Sequence, residues 1–396
     1  MKKKNILFLS YWSLREPLTA AAIFPYLHLL SEMPDVERIH LVTFETSQHF
    51  LPEVVLDIDK VVHHGIRSRF TWSYALSKVD LQVHALHYLS CLVRKEKIDI
   101  LIAKSSLAGN VAHLVHLMTG VRYIVESYEP HSTYMLGCGV WTKRDPRYLY
   151  ANMLEKAQLK HAEYLVTVTH NHREDLIKAG QSPHRIKTIP SITDTHVFRF
   201  QEAERARVRS AMNIPQQATV GIYVGKFGGL YYDDETYVIF RHAFEQFPGF
   251  HLIILSPSDT SIILKKVEHS GLPMDRVHLA TVPHKEIPAY LSASDIAFST
   301  IRPSTVNRYQ SPVKNGEYWA NGLPIFMTDG IADEYRLMRK GIGGHVFNPD
   351  MSDLKEAMGG MASIISREGH RFEIAELAKR YKSIDLAKEV YAEIFG

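Results

Sequence analysis

The sequence predicts an α/β protein of two successive doubly wound parallel-sheet units, and three observations carry that prediction. Short continuous runs of Ile, Leu and Val alternate with longer amphipathic stretches, the pattern of parallel strands covered on both faces by helices. The rhythm breaks between Ser191 and Gln217 and restarts at Thr219. With 396 residues the chain is longer than one core usually serves, and either half could bury its own.

In the first half NILFLS (5–10), IHLVTFE (39–45), IDILIAKS (98–105), VRYIVESYE (121–129), YLVTVTH (164–170) and RIKTIPS (185–191) read as strands. Helices are expected over 19–33, 77–97, 109–120 and 146–162, where apolar residues recur at helical spacing. The polar stretch 191–217, with a short charged helix inside it, is the candidate linker. Beyond it strands are expected at 219–225, 250–256, 276–282, 295–301 and 323–329, with helices between them, and the segment from Asp353 onward is helical.

Composition narrows the function classes. Hydrophobic residues make up 45% and charged residues 22%, as in a globular protein, and a net charge of +3 is too small for a dedicated nucleic-acid binder. Two cysteines, Cys91 and Cys138, give neither a disulfide framework nor a CxxC metal pattern, which fits a cytoplasmic protein. The start, MKKKNILFLSYW, reads as a buried strand rather than a signal peptide, and no apolar run is long enough to span a bilayer.

Two stretches carry chemistry. In SPVKNGEYWANGLPIFMTD (311–329), Ser311 is a strong N-cap and Pro312 suits the first helical position, so a helix should begin there with N–H groups aimed outward at an anion. Lys314 adds a mobile cation, Glu317 a carboxylate on a neighbouring face, and Asn321-Gly322 a stop before the strand. An ordinary capped helix with a surface Lys–Glu pair would look the same. In TVGIYVGKFGGLYYDDE (219–235), Gly225, Gly228 and Gly229 follow a buried strand, where glycines let N–H groups approach a phosphate and Lys226 adds charge. Two cationic turns on one carboxyl edge suit a diphosphate, and in such sheets that edge is where ligands bind.

Gly225-Lys226, PSITDTHVF (190–198) and SPVKNGEYWANGLPIF together resemble the retaining, metal-independent glycosyltransferases of family 4, on the two-Rossmann-domain GT-B fold, most closely the SPxKxGEY type of bacterial polysaccharide transferase. The resemblance implies an acceptor domain over 1–195 facing, across a cleft, a nucleotide-sugar domain over 196–375, with a final helix over 376–396 packing back toward the first. It implies that Glu317 binds the ribose hydroxyls and that Lys226, Lys314 and the start formed by Ser311, Pro312 and Val313 hold the donor diphosphate. His131 in YEPHSTYM resembles the histidine beside the donor sugar. Two departures stand out: Tyr309 occupies the place of the family's first glutamate, and GGLYYDDE lacks its downstream lysine, a role Lys314 could take. The donor is then a nucleotide-diphosphate sugar with no metal or other cofactor, and the acceptor a glycan or glycolipid. Lipid-linked acceptors leave peripheral contact with the inner membrane face open; FTWSYALSKVDLQVHALHYLSCLVRKEK (70–97) is its candidate segment, although covering the first sheet is the simpler account of that stretch.

Competing signals are weaker. Asp57-Ile58-Asp59 imitates a metal-binding DxD but belongs with a one-domain fold, and Asp233-Asp234-Glu235 suits a helix's first turn. The 22 histidines include the pairs His84/His87 and His113/His116, with neither HExxH nor a nearby third ligand. No GxSxG or GxGxxG is present, which disfavours a serine hydrolase and an NAD-dependent dehydrogenase.

Overall fold

The computed structural model describes residues 3–15, 17–45, 56–68, 74–126, 129–304 and 307–396. The chain divides into two compact units, Met1–Ile189 with Ile384–Gly396, and Pro190–Ser383.

The first unit runs β1 (Lys4–Ser10), α1 (Pro17–Glu32), β2 (Val36–Glu45), β3 (Val61–Arg67), α2 (Tyr74–Lys95), β4 (Ile100–Lys104), α3 (Ser106–Thr119), β5 (Arg122–Glu126), α4 (His131–Gly137), α5 (Pro146–His161), β6 (Tyr164–Thr167), α6 (His170–Lys178) and β7 (Ile186–Thr188). Its strands form one parallel sheet in the order β3-β2-β1-β4-β5-β6-β7. Central β4 is buried throughout, as its unbroken apolar run requires. Strand β3, VVHHGIR, is an edge strand too polar to announce itself, and periodicity does not reveal it. Helix α2 turns Leu81, Ala85, Leu89 and Leu92 into the core beside the sheet residues Leu7, Leu9 and Leu101. Its apolar face thus covers the first sheet, the simpler of the two readings of 70–97; residues 70–73 of that segment lie outside the described residues.

The second unit runs α7 (Glu202–Ala211), β8 (Val220–Val224), α8 (Asp234–Gln246), β9 (His251–Leu255), α9 (Thr260–His269), β10 (Val277–Ala280), α10 (Ile287–Ser292), β11 (Ile296–Ser299), α11 (Val313–Ala320), β12 (Ile325–Thr328), α12 (Tyr335–Met338), β13 (Gly344–Phe347), α13 (Leu354–Ile365) and α14 (His370–Tyr381). Its parallel sheet has the order β10-β9-β8-β11-β12-β13. The order reverses direction at β8, so the turn after β8 and the loop leading from β11 into α11 lie side by side at the carboxyl edge, the place where doubly wound sheets bind ligands.

The stretch 191–217 is not a free linker. Arg209 on α7 is fully buried, donating to Ala293 O at 2.9 Å and pairing with Asp295 at 2.8 Å, so this helix is a packed part of the second unit. Residues 190–195 go with it as well, because Ser191 and Thr193 bond to Ser311 and Lys382. Helix α14 also stays in the second unit, and α15 (Ile384–Phe395) belongs to the first. There Tyr391 of α15 donates its hydroxyl to Glu126, which also pairs with Lys104, and packs edge-on to Tyr26 with centroids 6.4 Å apart.

Candidate functional site

Helix α11 is the buried heart of the second unit, with every residue from Lys314 to Ala320 inside. Tyr318 receives the Val224 N–H on its hydroxyl at 3.1 Å, and Trp319 donates to Gly343 O at 2.7 Å, so the helix is locked to the strands beside it. Its start differs from the sequence expectation. The helix begins at Val313, the capping position is Pro312, and no side chain caps it. The Ser311 hydroxyl is used elsewhere, receiving the Ser191 N–H at 3.0 Å and the Lys382 ammonium at 3.2 Å. Lys382 in turn pairs with Glu334 at 2.6 Å, both side chains almost fully enclosed. Pro312 has no N–H to donate and Ser311 cannot reach back, so the first turn is left uncapped at the ligand-binding edge.

Lys314 is held in place rather than mobile. Its ammonium donates to Val224 O at 3.3 Å and lies 4.3 Å from the Tyr231 ring centroid and 5.0 Å from that of Tyr223. Burial lowers its pKa to about 7, opposed in part by the nearby Glu317 carboxylate. Rings of this kind offer a negative face that an ammonium can use without full hydration. Gly225 completes the cage. At φ 142° it holds a conformation that disfavours side chains, and a Cβ there would stand 3.6 Å from the Lys314 nitrogen.

The glycine turn thus does something other than present every N–H to a phosphate. The Gly225 N–H donates to Leu255 O at 2.9 Å and that of Gly228 to Tyr232 O at 3.2 Å. Gly228 and Gly229 supply positive φ values of 76° and 65° that bend the chain. Lys226 is exposed, and its carbonyl accepts the Tyr223 hydroxyl. One buried and one exposed cation therefore flank the turn.

Glu317 is 4% exposed, and its Oε1 lies 2.8 Å from Nε2 of His284, whose ring packs against Phe198 with centroids 5.3 Å apart. The hydrogen bond to the carboxylate raises the imidazole pKa above its ordinary value. Sequence reading missed His284, Tyr223, Tyr231 and Lys382. Each is brought in from another element by the fold, and none stands in a local motif. Tyr309 ends a short 3-10 turn, with the Arg308 guanidinium 5.5 Å from its ring.

In the first unit His131 opens α4. Its N–H donates to Ser106 Oγ at 3.3 Å, its ring meets Trp141 edge-on at 5.4 Å, and burial lowers its pKa. Glu129, two residues before it, is raised to about 7 by burial, and among the described residues its Oε1 has no hydrogen-bond partner.

Among the described residues no group of three His, Cys, Asp or Glu side chains could hold a metal ion. Asp57 and Asp59 are exposed, while Asp233 and Asp234 pair with Lys266 and Glu235 with Arg302. His113 bonds to the Tyr123 hydroxyl at 3.1 Å and stacks on His161, a packing role.

Two parallel-sheet units of this kind, with a capless helix start beside a glycine turn, define the class of two-domain GT-B proteins, and solved structures of that fold match the whole chain. Residues 38–191 match the family model described as glycosyl transferase 4-like domain. Sucrose-phosphate synthase from Thermosynechococcus elongatus superposes with a TM-score of 0.74 at 14% identity, covering 99% of this chain and 98% of that one. Anabaena HepE in complex with UDP and glucose gives 0.69 at 14% identity, covering 99% of each chain. A UDP-N-acetylglucosamine 2-epimerase gives 0.61 at 12% identity, covering 100% of this chain and 96% of that one. No curated protein sequence matches the chain.

Proposed function

We propose that the chain is a retaining glycosyltransferase, moving a sugar from a nucleotide-diphosphate donor to a hydroxyl of a glycan or lipid-linked acceptor. The observation that carries this reading is the placement of both Lys314 and Glu317 on one helix whose uncapped start lies at the second sheet's carboxyl edge. Glu317 accepts the ribose hydroxyls, a task for a group with two acceptor oxygens. Lys314, Lys226 and the N–H groups opening α11 take up the charge that grows on the departing diphosphate. Because the site is already built around its cation, little reorganisation accompanies bond breaking. In a retaining reaction of this kind the acceptor attacks from the face the diphosphate leaves, and a phosphate oxygen receives its proton. The family resemblance assigns His131, whose pKa burial lowers, to the donor sugar. Binding of UDP and glucose by a structural neighbour supports a nucleotide-sugar ligand.

A second reading is favoured by the 2-epimerase neighbour, namely rearrangement or hydrolysis of the donor without an acceptor. Incubation with a panel of nucleotide sugars, with and without glycan acceptors, separates the two. Transfer that needs an acceptor and preserves anomeric configuration supports the first; acceptor-independent conversion of the donor supports the second. Binding with neither reaction would indicate a nucleotide-sugar-binding subunit.

A further inference from the structure

Helix α5 and the loop before it carry an unusual surface. Val140, Leu149, Tyr150 and Met153 are 55%, 54%, 42% and 58% exposed, although the opposite face of α5 buries Ala151, Leu154 and Gln158 against the unit. Leu149, Met153, Lys156 and Lys160 recur at the spacing that places them along one helix face, apolar at the start and cationic farther on.

Charge is concentrated there too. Residues 138–161 hold five lysines and arginines against two acidic residues, an excess equal to the formal net charge of +3 on the whole chain. Asp145 cancels only Arg147, pairing with it at 2.6 Å, and Glu155 lies inside, accepting the Ser132 N–H at 3.0 Å. This leaves Lys143, Arg144, Lys156 and Lys160 as the exposed cations of the surface. Exposed apolar side chains beside exposed cations are what a lipid surface with anionic headgroups can take up, since the apolar groups enter the interface while the cations meet phosphate.

We propose that residues 139–160 form a docking surface for an anionic lipid bilayer. The surface stands on the first unit alone. Trp141 links it to His131, edge-on at 5.4 Å, while Arg147 lies 5.5 Å from the Trp141 ring. Its corollary, that the acceptor is lipid-linked and delivered beside His131, rests on the glycosyltransferase reading.

The test is flotation of the full chain with phosphatidylcholine vesicles, with and without phosphatidylglycerol, at low and high salt. The expected result is binding to the phosphatidylglycerol vesicles at low salt, roughly tenfold weaker without that lipid or at high salt. Leu149→Ser with Met153→Ser, and separately Lys143→Glu with Arg144→Glu, should each lower it about tenfold or more, while Val83→Ser on exposed α2 leaves it unchanged. Thermal melts and nucleoside-diphosphate binding of the same variants should match the parent, which keeps a failure here distinct from a failure of the donor site. No flotation at low salt, or flotation of both double variants like the parent, overturns the proposal. So does displacement by a soluble acidic polysaccharide combined with indifference to the Leu149/Met153 change, which would indicate a glycan surface instead.

Discussion

The ammonium of Lys314 lies 4.3 Å from the centroid of the Tyr231 ring, inside a unit whose core would otherwise exclude it. A lysine kept there is costly to the fold and useful only if an anion arrives, and this tension makes the site testable without any substrate.

Burial holds the folded Lys314 pKa near 7, against an ordinary value of 10.5. Between those values the unfolded chain binds the proton and the folded chain does not, so this group makes stability rise with pH across that window. Below pH 7 both states are protonated and the penalty is complete. Lys314→Met should therefore stabilise the fold by on the order of a few kcal/mol at pH 6, with the gain vanishing above pH 10.5. Chemical denaturation at several pH values measures it, and a gain independent of pH would contradict the caged-lysine description.

Tyr231→Phe keeps the ring face and should leave diphosphate affinity within about twofold. Tyr231→Leu removes it and should lower that affinity severalfold, by roughly 0.5–2 kcal/mol. Calorimetric titration with a nucleoside diphosphate distinguishes the two.

The His284–Glu317 pair has the opposite pH signature. Its imidazole pKa is raised in the folded state, so its contribution is complete below the unfolded value of 6.5 and is lost as pH climbs through the higher folded value. Because the His284 side chain is largely exposed, the effect is small, roughly a few tenths of a kcal/mol. His284→Ala should lower the melting temperature more at pH 6 than at alkaline pH.

Under α11 the packing leaves no room. A Cβ on Gly316 would fall 2.2 Å from Thr193 Oγ1, so Gly316→Ala must displace the 190–195 segment, at about 1–3 kcal/mol. Lys382→Met strands the buried Glu334 carboxylate and should cost about 3–5 kcal/mol. Urea midpoints compared with the parent test both.

Much of this was legible in the sequence. The parallel sheets follow from unbroken runs such as ILIAK and HLIIL, and Lys314 and Glu317 could be singled out because helix start, cation and carboxylate stand within seven residues. What failed was local detail that depends on distant partners. Ser311 looks like a cap, but Ser191 and Lys382 claim its hydroxyl from 120 and 71 residues away. Lys314 looks mobile because nothing in SPVKNGEY reveals that Tyr231 will lie over it. Strand β3 escaped because an edge strand with His63 and His64 lacks the apolar run that marks its neighbours.

The central claim is that α11 presents a diphosphate cation and a ribose carboxylate to one donor nucleotide. Titration of the parent, Lys314→Met and Glu317→Gln with nucleosides and their diphosphates tests it most directly. The account predicts that the parent binds a nucleoside diphosphate, that Lys314→Met weakens the diphosphate roughly tenfold or more while sparing the nucleoside, and that Glu317→Gln weakens both. Parental affinity for both ligands in both variants would contradict it.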